Sequence, residues 1–403
     1  MSPPLDDIRV LDLTRALSGP FCTMILADLG ADVVKVEPWP AGEMMRAWGP
    51  FHEGIGVFYL SINRNKRSLA LDFRSAQGLA LLQRLAASAD VLVENFKPGV
   101  ARDMGLDYER LRAVNPRLVH ASISGFGSSG PYGTWPGLDQ IAQGMSGLMS
   151  ISGFADGEPT RVGVPIGDLV AGMWTATGIA AALAQRHVTG VGQKVETSLL
   201  AALVGLLCVQ GQRYLSLEEV PGRAGNDHPV IYPYGTFTAS DGLLNVAVPT
   251  EEMWRKLCRI LAVEVLVDDP DYADNTARSR NRDALRAALN ERFVTRPALD
   301  WVRELIEAGI PAGPIYTLDQ VFDDGQVRHC GMVEEIAHPT IGTLRQLSNP
   351  LRMSTIGART VRSPPPRLGE HSAAVLEAWG LAPAEIAELR AAGVIGDSTE
   401  ASS

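Results

Sequence analysis

Along residues 8–123, short β-prone apolar segments alternate with amphipathic segments of helical period. This alternation predicts strands over 8–13, 32–37, 68–73, 91–95 and 118–123, and helices over 19–29, 76–87 and 108–114. Strands that alternate with helices favour a parallel, doubly wound sheet of the α/β class. Ligands of such sheets bind outside the carboxyl ends of the strands, so we expect the functional site at that edge.

Two long apolar runs follow, over 169–184 and 199–209. Glycine and threonine residues interrupt the first run, and the second is too short to cross a bilayer of ~30 Å. Helices that are apolar on every side are typical of buried positions, in a core or against another subunit. We therefore expect a soluble protein that does not bind membranes.

The composition and the order of predicted elements change after these runs, which indicates a second domain. A polar segment rich in glycine and proline leads into a β-hairpin with its turn at Asp241–Gly242, and amphipathic helices follow. A second Gly/Pro-rich passage begins at Gly309. The predicted organisation is a large first domain, a linker, a smaller α+β domain, a second linker and a return to the large domain, over 1–205, 206–235, 236–308, 309–330 and 331–403.

Composition narrows the functional classes. The 403 residues carry a formal net charge of −10, which argues against non-specific nucleic-acid binding but leaves room for a local basic pocket. The cysteines Cys22, Cys208, Cys258 and Cys330 show no metal-binding or CxxC spacing and indicate thiols of a reducing compartment. The N-terminal segment has neither the basic start nor the apolar core of a signal peptide. We expect a cytoplasmic location.

One acidic residue, Asp168, stands alone between Glu158 and Glu196, where a Gly/Pro-bent loop enters the first apolar run. Such a carboxylate is either a helix cap, because Asp is a preferred N-cap residue, or a chemically active group. Taken by itself, the local sequence favours the cap.

Other catalytic motifs fail on spacing or context. Residues 125–130 have the GxGxxG pattern, but Pro131, Gly133 and Pro136 exclude the helix that a dinucleotide-binding fingerprint requires. The histidines do not fall at ligand spacing, and neither HExxH nor GxSxG occurs, so we expect no metal. Basic residues near the predicted strand ends are either phosphate ligands or surface charges: Arg46, Arg64, Lys66, Arg67 and Arg74.

A series of further motifs spans nearly the whole chain. They include RVLDLT (9–14), SGPFC (18–22), LGADVVKVEP (29–38), NKRS (65–68), VENFKPG (93–99), SGFG (124–127), GD (167–168), GIPAGP (309–314) and LGEH (368–371). In this order they resemble the family III CoA-transferases, or CaiB/BaiF family, which includes formyl-CoA transferase and the α-methylacyl-CoA racemases. The resemblance implies a Rossmann-like large domain whose parallel sheet is built from both chain ends, a smaller α+β domain, and an interlocked homodimer.

By this resemblance, Asp168 occupies the position of the covalent nucleophile of the transferases. A carboxylate that attacks a thioester gives a mixed anhydride, and the released CoA thiolate then gives an aspartyl-CoA thioester. This covalent route needs neither a metal nor a proton-carrying base. A helix beginning after Asp168 would keep the carboxylate ionised and stabilise developing oxyanions, so the cap and the nucleophile are compatible.

The resemblance also implies contacts to CoA and to the substrate. The CoA positions are Ala16, Leu17, Leu71, Asp72, Arg74, Asn95, Phe96, Lys97 and Asp139. Two cations usual in the family are replaced by Pro38 and Asp103. The candidate ligands of the CoA phosphates are therefore Arg46, Arg74, Lys97 and Arg102. The loop over 222–228 is the nearest counterpart of the loop that covers the site, and the candidate substrate contacts are Trp48, Gln140, Arg223 and His228.

The implied activity is CoA transfer between short carboxylic acids, dicarboxylates of the succinate, malate, citramalate or glutarate kind, with acyl-CoA as a substrate. Racemases of the family use a histidine base just upstream, and Leu138 stands at that position. Removing one proton and returning another requires two titratable groups, which disfavours racemisation. The alternatives are a 2-methylacyl-CoA racemase and a non-catalytic CoA-binding protein.

Overall fold

A computed structural model describes residues 2–354 and 359–397. The described chain forms two compact units. Unit 1 comprises the chain up to Leu148, Arg161–Glu218 and the chain from Arg328 onward, and unit 2 comprises Met149–Thr160 and Glu219–Val327.

The strands of the described chain, in order, are β1 Arg9–Asp12, β2 Asp32–Pro38, β3 Phe51–His52, β4 Ile55–Gly56, β5 Lys66–Leu71, β6 Val91–Glu94, β7 Val119–Ser124 and β8 Lys194–Ser198. They continue with β9 Tyr234–Thr238, β10 Leu243–Ala247, β11 Ala312–Pro314, β12 Val333–His338, β13 Gly342–Leu347 and β14 Ile395–Gly396.

The first helices are α1 Ser18–Asp28, α2 Val57–Ile62, α3 Ala76–Ser88, α4 Val100–Asp103, α5 Tyr108–Val114, α6 Asp139–Met145, α7 Leu148–Ile151, α8 Ile166–Thr189, α9 Leu199–Leu206 and α10 Cys208–Leu217. The later ones are α11 Glu251–Ile260, α12 Asn275–Arg280, α13 Arg282–Phe293, α14 Ala298–Glu307, α15 Leu318–Asp323, α16 Gly325–His329, α17 Ser372–Ala378 and α18 Pro383–Ala391.

Unit 1 is built on a seven-stranded sheet in the order β14-β5-β2-β1-β6-β7-β8. All neighbouring strands are parallel except β14, which pairs antiparallel with β5. The predicted parallel α/β sheet is therefore confirmed, and residues from both ends of the chain contribute strands to it. The carboxyl ends of the parallel strands share one edge, where the sequence predicts the functional site.

Strand β8 is an element that the predictions from the sequence did not include. The segment pairs in parallel with β7, with Ala121 opposite Val195 and Ile123 opposite Thr197. Its β-branched residues alternate with charged ones, which suits an edge strand. The helical signal of the apolar run that follows belongs to α9.

Helices cover both faces of this sheet. One face packs against α3, α5, α17 and α18 through a cluster that includes Leu82, Leu111, Val375 and Ile386. The other packs against α1, α6, α8 and α9 through Leu26, Ala142, Ile179 and Leu203. This second layer carries Asp168, on α8, and Asp139, on α6.

Helix α8 has the length and hydropathy of a membrane span, as judged by composition alone. Its inward-facing residues, among them Val170, Ala176 and Ile179, pack in the core of unit 1. The close approach to α1 depends on Gly172, since a Cβ there would lie 2.7 Å from the backbone oxygen of Ser18. Packing within unit 1 therefore accounts for the apolar residues on the inward face of α8.

Unit 2 contains the antiparallel sheet β11-β10-β9, and the predicted hairpin is present as β9 and β10. Its core includes Trp254, Phe237, Phe293 and Trp301. Residues 149–160 belong to this unit, although the sequence prediction placed them in the large domain. The finer division into domains and linkers stays a prediction.

Candidate active site

Asp168 lies in the first turn of α8, at the third helical position. The N-cap residue is Pro165, which offers no side-chain cap, and its carbonyl accepts the first helical hydrogen bond from Leu169 at 3.1 Å. Asp168 is therefore inside the helix and does not occupy the N-cap position that the isolated sequence favoured. Its carboxylate remains available for chemistry.

A neighbouring carboxylate takes over part of the capping role. The backbone N–H of Gly167 donates to Oδ1 of Asp139 at 2.8 Å. The second oxygen of Asp139 accepts from Nε2 of Gln143 at 2.7 Å. The structure thus engages both oxygens of Asp139, a predicted CoA contact, within unit 1. The sequence offered no signal for this pairing, because Asp139 and Gly167 are far apart along the chain.

Two effects raise the pKa of Asp168 to about 6: burial first, then the negative charge of Asp139. The hydroxyl and backbone amide of Ser18 oppose the shift by stabilising the charged form. The net direction is opposite to the effect of a helix N-terminus alone, which favours an ionised carboxylate. Asp168 is still ionised above about pH 6, and it is more basic there than an ordinary aspartate.

Ser18 is a site residue that the sequence prediction missed. The prediction named Ala16 and Leu17, the two residues before it, while Ser18 itself is buried at the start of α1. Its position at the start of α1, after the loop that follows the carboxyl end of β1, was the signal that could have identified it, because ligands of parallel sheets bind there.

The loop between β1 and α1 is held by side chains around it. Ala16 has a left-handed backbone with φ of 59°, and its N–H donates to Oε1 of Glu43 at 3.0 Å. Asn95 bonds both backbone polar groups of Arg15, accepting at 2.8 Å and donating at 2.7 Å. Asn95, predicted to bind CoA, therefore has a structural role in fixing this loop.

Beneath the loop lies a fully buried ion cluster. Asp12 accepts hydrogen bonds from Thr14, from Thr23 and, at 3.1 Å, from Nζ of Lys66. Lys35 donates to the backbone oxygen of Thr14 at 3.0 Å. Although burial opposes ionisation, the two lysines and the hydroxyls hold the pKa of Asp12 well below its usual range. The cluster fixes the start of the loop that carries Ser18.

Four of the five basic residues near the predicted strand ends, all except Arg74, form ion pairs with acidic residues of unit 1. Arg64 is buried in an ion pair with Asp28 at 2.6 Å, and Arg67 pairs with Asp32. Arg46 makes a two-pronged contact to the buried Glu37, at 2.6 and 2.8 Å, and also bonds Tyr59 and a backbone carbonyl. These contacts engage the guanidinium of Arg46 within unit 1, so Arg46 is not part of the proposed CoA site.

The remaining predicted CoA residues differ in their exposure to solvent. Leu71 is fully buried in the core, so its side chain is not available to a ligand. Asp72 accepts from the backbone of Arg74 at 3.2 Å, and Arg74 itself is exposed. Lys97 and Arg102 are exposed as well. These last three side chains retain the exposure that a phosphate ligand needs.

Phe96, Lys97 and Arg102 line a recess of about 160 Å³ together with residues along β6, β7 and β8, from His120 near the amino end of β7 to Ser124 at its carboxyl end. Its lining also includes Glu94 and His120. Burial raises the pKa of Glu94 and lowers that of His120, which favours the uncharged form of both. The recess thus brings three of the predicted residues together, with a polar floor.

The four candidate substrate contacts fall in both units. Trp48 and Gln140 are exposed residues of unit 1. In unit 2, Arg223 donates to the carbonyls of Phe154, Ala155 and Gly157, which ties 149–160 to the glycine-rich loop.

His228, also in unit 2, uses Nδ1 to accept from the N–H groups of Val230 and Ile231, at 3.3 and 3.1 Å, and stacks on Tyr234. With Nδ1 occupied as an acceptor, Nε2 carries the proton of the neutral ring. Over residues 2–354 and 359–397, no group of three or more His, Cys, Asp or Glu residues has the geometry of a metal site.

Comparison with known proteins identifies the family of the chain. The description "CoA-transferase family III" matches residues 5–372. Succinyl-CoA:glutarate CoA-transferase of Mus musculus is 40% identical over 375 residues, 93% of this chain and 86% of that protein. Succinate–glutarate CoA-transferase of Agrobacterium fabrum is 40% identical over 386 residues, 93% of this chain and 95% of that protein.

A solved structure gives the same result for the fold. The crystal structure of a CAIB/BAIF family protein from Brucella suis superposes with a TM-score of 0.85 and 40% sequence identity, covering 94% of this chain and 100% of that one. The resemblance of the motifs is thereby confirmed, and the chain belongs to the family III CoA-transferases.

Proposed function

We propose that this protein transfers CoA between short dicarboxylic acids, with succinyl-CoA as a donor and Asp168 as the covalent nucleophile. The observation that carries the proposal is the carboxylate of Asp168 in the first turn of α8. It does not cap the helix, since Asp139 accepts from the N–H of Gly167, and its surroundings make it more basic. Relatives named for succinate and glutarate support the class of substrate.

The proposed reaction begins when an Asp168 oxygen attacks the thioester carbonyl carbon and CoA leaves as the thiolate. The product is a mixed anhydride of Asp168 and succinate. The thiolate then attacks the aspartyl carbonyl, succinate leaves, and an aspartyl-CoA thioester remains. The acceptor carboxylate attacks this thioester, and the same two steps in reverse give the new acyl-CoA and free Asp168. No proton is gained or lost over the cycle.

The raised basicity of Asp168 suits these steps. A more basic carboxylate is a stronger nucleophile, and its acyl derivatives are more stable relative to the free anion. An aspartate of pKa about 6 therefore forms an anhydride and a thioester closer in energy to succinyl-CoA than an ordinary aspartate would. Partial positive charge at the start of α8 stabilises the developing oxyanion.

The alternative functions have weaker support. Racemisation requires a second titratable group opposite Asp168, and the corresponding position holds Leu138, an exposed residue at the start of α6. A non-catalytic CoA-binding protein would have no use for a carboxylate of raised pKa placed at a helix start. The cytoplasmic location stays a prediction from the cysteine pattern.

An acceptor screen tests the proposed function. Purified protein is incubated with succinyl-CoA and, separately, glutarate, malate, citramalate, mesaconate and acetate, and the acyl-CoA products are separated by chromatography. We expect at least one dicarboxylate to accept CoA faster than acetate. The same reaction with 2-methylacyl-CoA in deuterated water is the control for racemisation, and α-deuteration without CoA exchange contradicts our proposal.

We also propose that the protein works as a homodimer. Helices α8 and α10 of unit 1 leave large apolar side chains exposed, including Trp174 at 56%, Val209 at 74% and Leu215 at 75%. Surfaces of this kind are typical of protein–protein interfaces. We expect light scattering to give twice the chain mass of 43.2 kDa. Interlocking predicts that two differently tagged preparations do not exchange chains on mixing, whereas a monomeric mass at micromolar concentration contradicts the dimer.

A further inference from the structure

Asp139 is the acidic neighbour of the proposed nucleophile. It is the first residue of α6, partly buried, and carries a charge that destabilises the ionised form of Asp168. Like charges placed together cost free energy, which other interactions must offset. The other interactions that the structure gives Asp139 are hydrogen bonds.

Three hydrogen bonds tie the start of α6 to both ends of the segment that leads to Asp168. Oδ1 of Asp139 accepts from the N–H of Gly167 at 2.8 Å, and Oδ2 accepts from Nε2 of Gln143 at 2.7 Å. Oε1 of Gln143 in turn accepts from the N–H of Val162 at 2.9 Å. Asp139 and Gln143 are four residues apart on α6 and so share one face of the helix. The segment 162–167 is clamped at each end.

The packing around Gly167 shows how tightly this clamp closes. A Cβ on Gly167 would lie 3.0 Å from Oδ1 of Asp139 and 3.1 Å from Cδ1 of Leu203. Glycine therefore permits the carboxylate to approach the backbone directly next to Asp168. Gln143 is fully buried, so its two hydrogen bonds are shielded from water.

We infer that Asp139 is a positioning residue for Asp168, which it holds through the backbone of Gly167. This inference rests on the proposed function of Asp168. The carboxylate fixes where the first turn of α8 places Asp168 relative to a bound thioester. It also makes the Asp168 anion less stable relative to its acyl derivatives, which favours the covalent intermediates.

Among the described residues, the other charged or titratable groups on the elements around Asp168 do not take this role. Helix α9 has no titratable side chain, and α1 has Cys22 and Asp28. Cys22 is a buried thiol whose pKa is raised by desolvation, and Asp28 is paired with Arg64. Strands β7 and β8 contribute groups to the recess described above, namely His120, Lys194 and Glu196. Arg186 and His187 are at the far end of α8.

The test compares Asp139→Asn with two other variants. Asp139→Asn removes the charge and places two N–H donors opposite each other at Gln143. Asp139→Asn/Gln143→Glu restores a donor and an acceptor across that contact and moves the charge one helical turn away. Glu377→Gln, at an exposed acid on α17, controls for the loss of one negative charge.

Two readouts separate this inference from the proposed function. The first is the ionisation of Asp168, followed by ¹³C NMR of carboxyl-labelled aspartate and assigned with Asp168→Asn. The second is kcat for CoA transfer as a function of pH, which in the wild type rises through the pKa of Asp168 at about 6 and then levels off, because the anion is the nucleophile. The first readout does not depend on activity.

We expect Asp139→Asn to lower the pKa of Asp168 by about 0.5 to 1 unit, because a like charge is removed. We expect its plateau kcat to fall about 10-fold or more, because the two opposed donors at Gln143 displace the side chain that holds the first turn of α8. The double variant should recover most of kcat while the pKa stays below that of the wild type, and Glu377→Gln should match the wild type.

An unchanged titration of Asp168 together with an unchanged kcat in Asp139→Asn overturns the inference. Full transfer activity in Asp168→Asn overturns the proposed function instead. In that case the NMR titration still decides whether Asp139 acts on Asp168.

Discussion

Asp168→Asn is expected to reduce CoA transfer by at least about 10³-fold, because a carboxamide cannot attack the thioester to form the anhydride. The substitution preserves the size of the side chain and removes a partly buried charge that Asp139 disfavours. Folding should therefore be unaffected or slightly improved. Asp7→Asn, at an exposed aspartate near the N-terminus, is the matched control and should retain wild-type activity.

Covalent trapping checks the same prediction directly. The wild type is incubated with succinyl-CoA, quenched with hydroxylamine and digested, and the peptides are analysed by mass spectrometry. We expect a hydroxamate on Asp168 in the wild type and in Asp7→Asn, and none in Asp168→Asn. A hydroxamate on another carboxylate, or more than a tenth of wild-type activity in Asp168→Asn, would rule out Asp168 as the nucleophile.

The sheet was predictable from the sequence because its strands are buried on both faces. Val10 and Leu11 of β1 and Val91, Leu92 and Val93 of β6 are adjacent buried apolar residues, which is the pattern of central parallel strands. Strand β8 escaped prediction because it is an edge strand with charged residues on it, followed at once by the apolar helix α9. The pattern of apolar residues in the sequence identifies a strand or helix only where burial of that element requires apolar side chains.

The chemistry of the site was predictable only in part. The family resemblance selected Asp168, but the roles of Ser18 and Asp139 depend on contacts between segments distant in sequence. Arg64 and Lys66 illustrate the opposite error: clustered cations look like an anion site until their buried partners, Asp28 and Asp12, are known. A charge pattern cannot distinguish a solvated or ligand-binding cation from one paired across the core.

Asp12→Ala is expected to lower the free energy of unfolding by about 3 to 5 kcal/mol, because it leaves the buried ammonium of Lys66 without its counter-ion. Both side chains of this pair are fully buried, at 0% exposure. The variant also loses the hydrogen bonds from Thr14 and Thr23, which fix the start of the loop carrying Ser18. Urea denaturation followed by circular dichroism measures the loss.

Two comparisons isolate the buried charge as the cause. Glu385→Ala removes half of an ion pair with Arg84 in which both side chains are about half exposed, and it should cost no more than about 1 kcal/mol. Adding Lys66→Met to Asp12→Ala removes the unpaired ammonium, so the double variant should be more stable than Asp12→Ala alone. If the double variant is less stable, the unpaired charge is not the source of the loss.

The pH dependence of stability provides the final check on Asp12. Its pKa in the folded protein lies below the ordinary value, so the unfolded state takes up the proton first as pH falls. The stabilisation from Asp12 is therefore fully present above about pH 4 and is lost at lower pH. The gap in unfolding free energy between the wild type and Asp12→Ala should narrow as pH is lowered from 6 to 3. A gap that stays constant over this range would show that ionised Asp12 does not hold the β1–α1 loop in place.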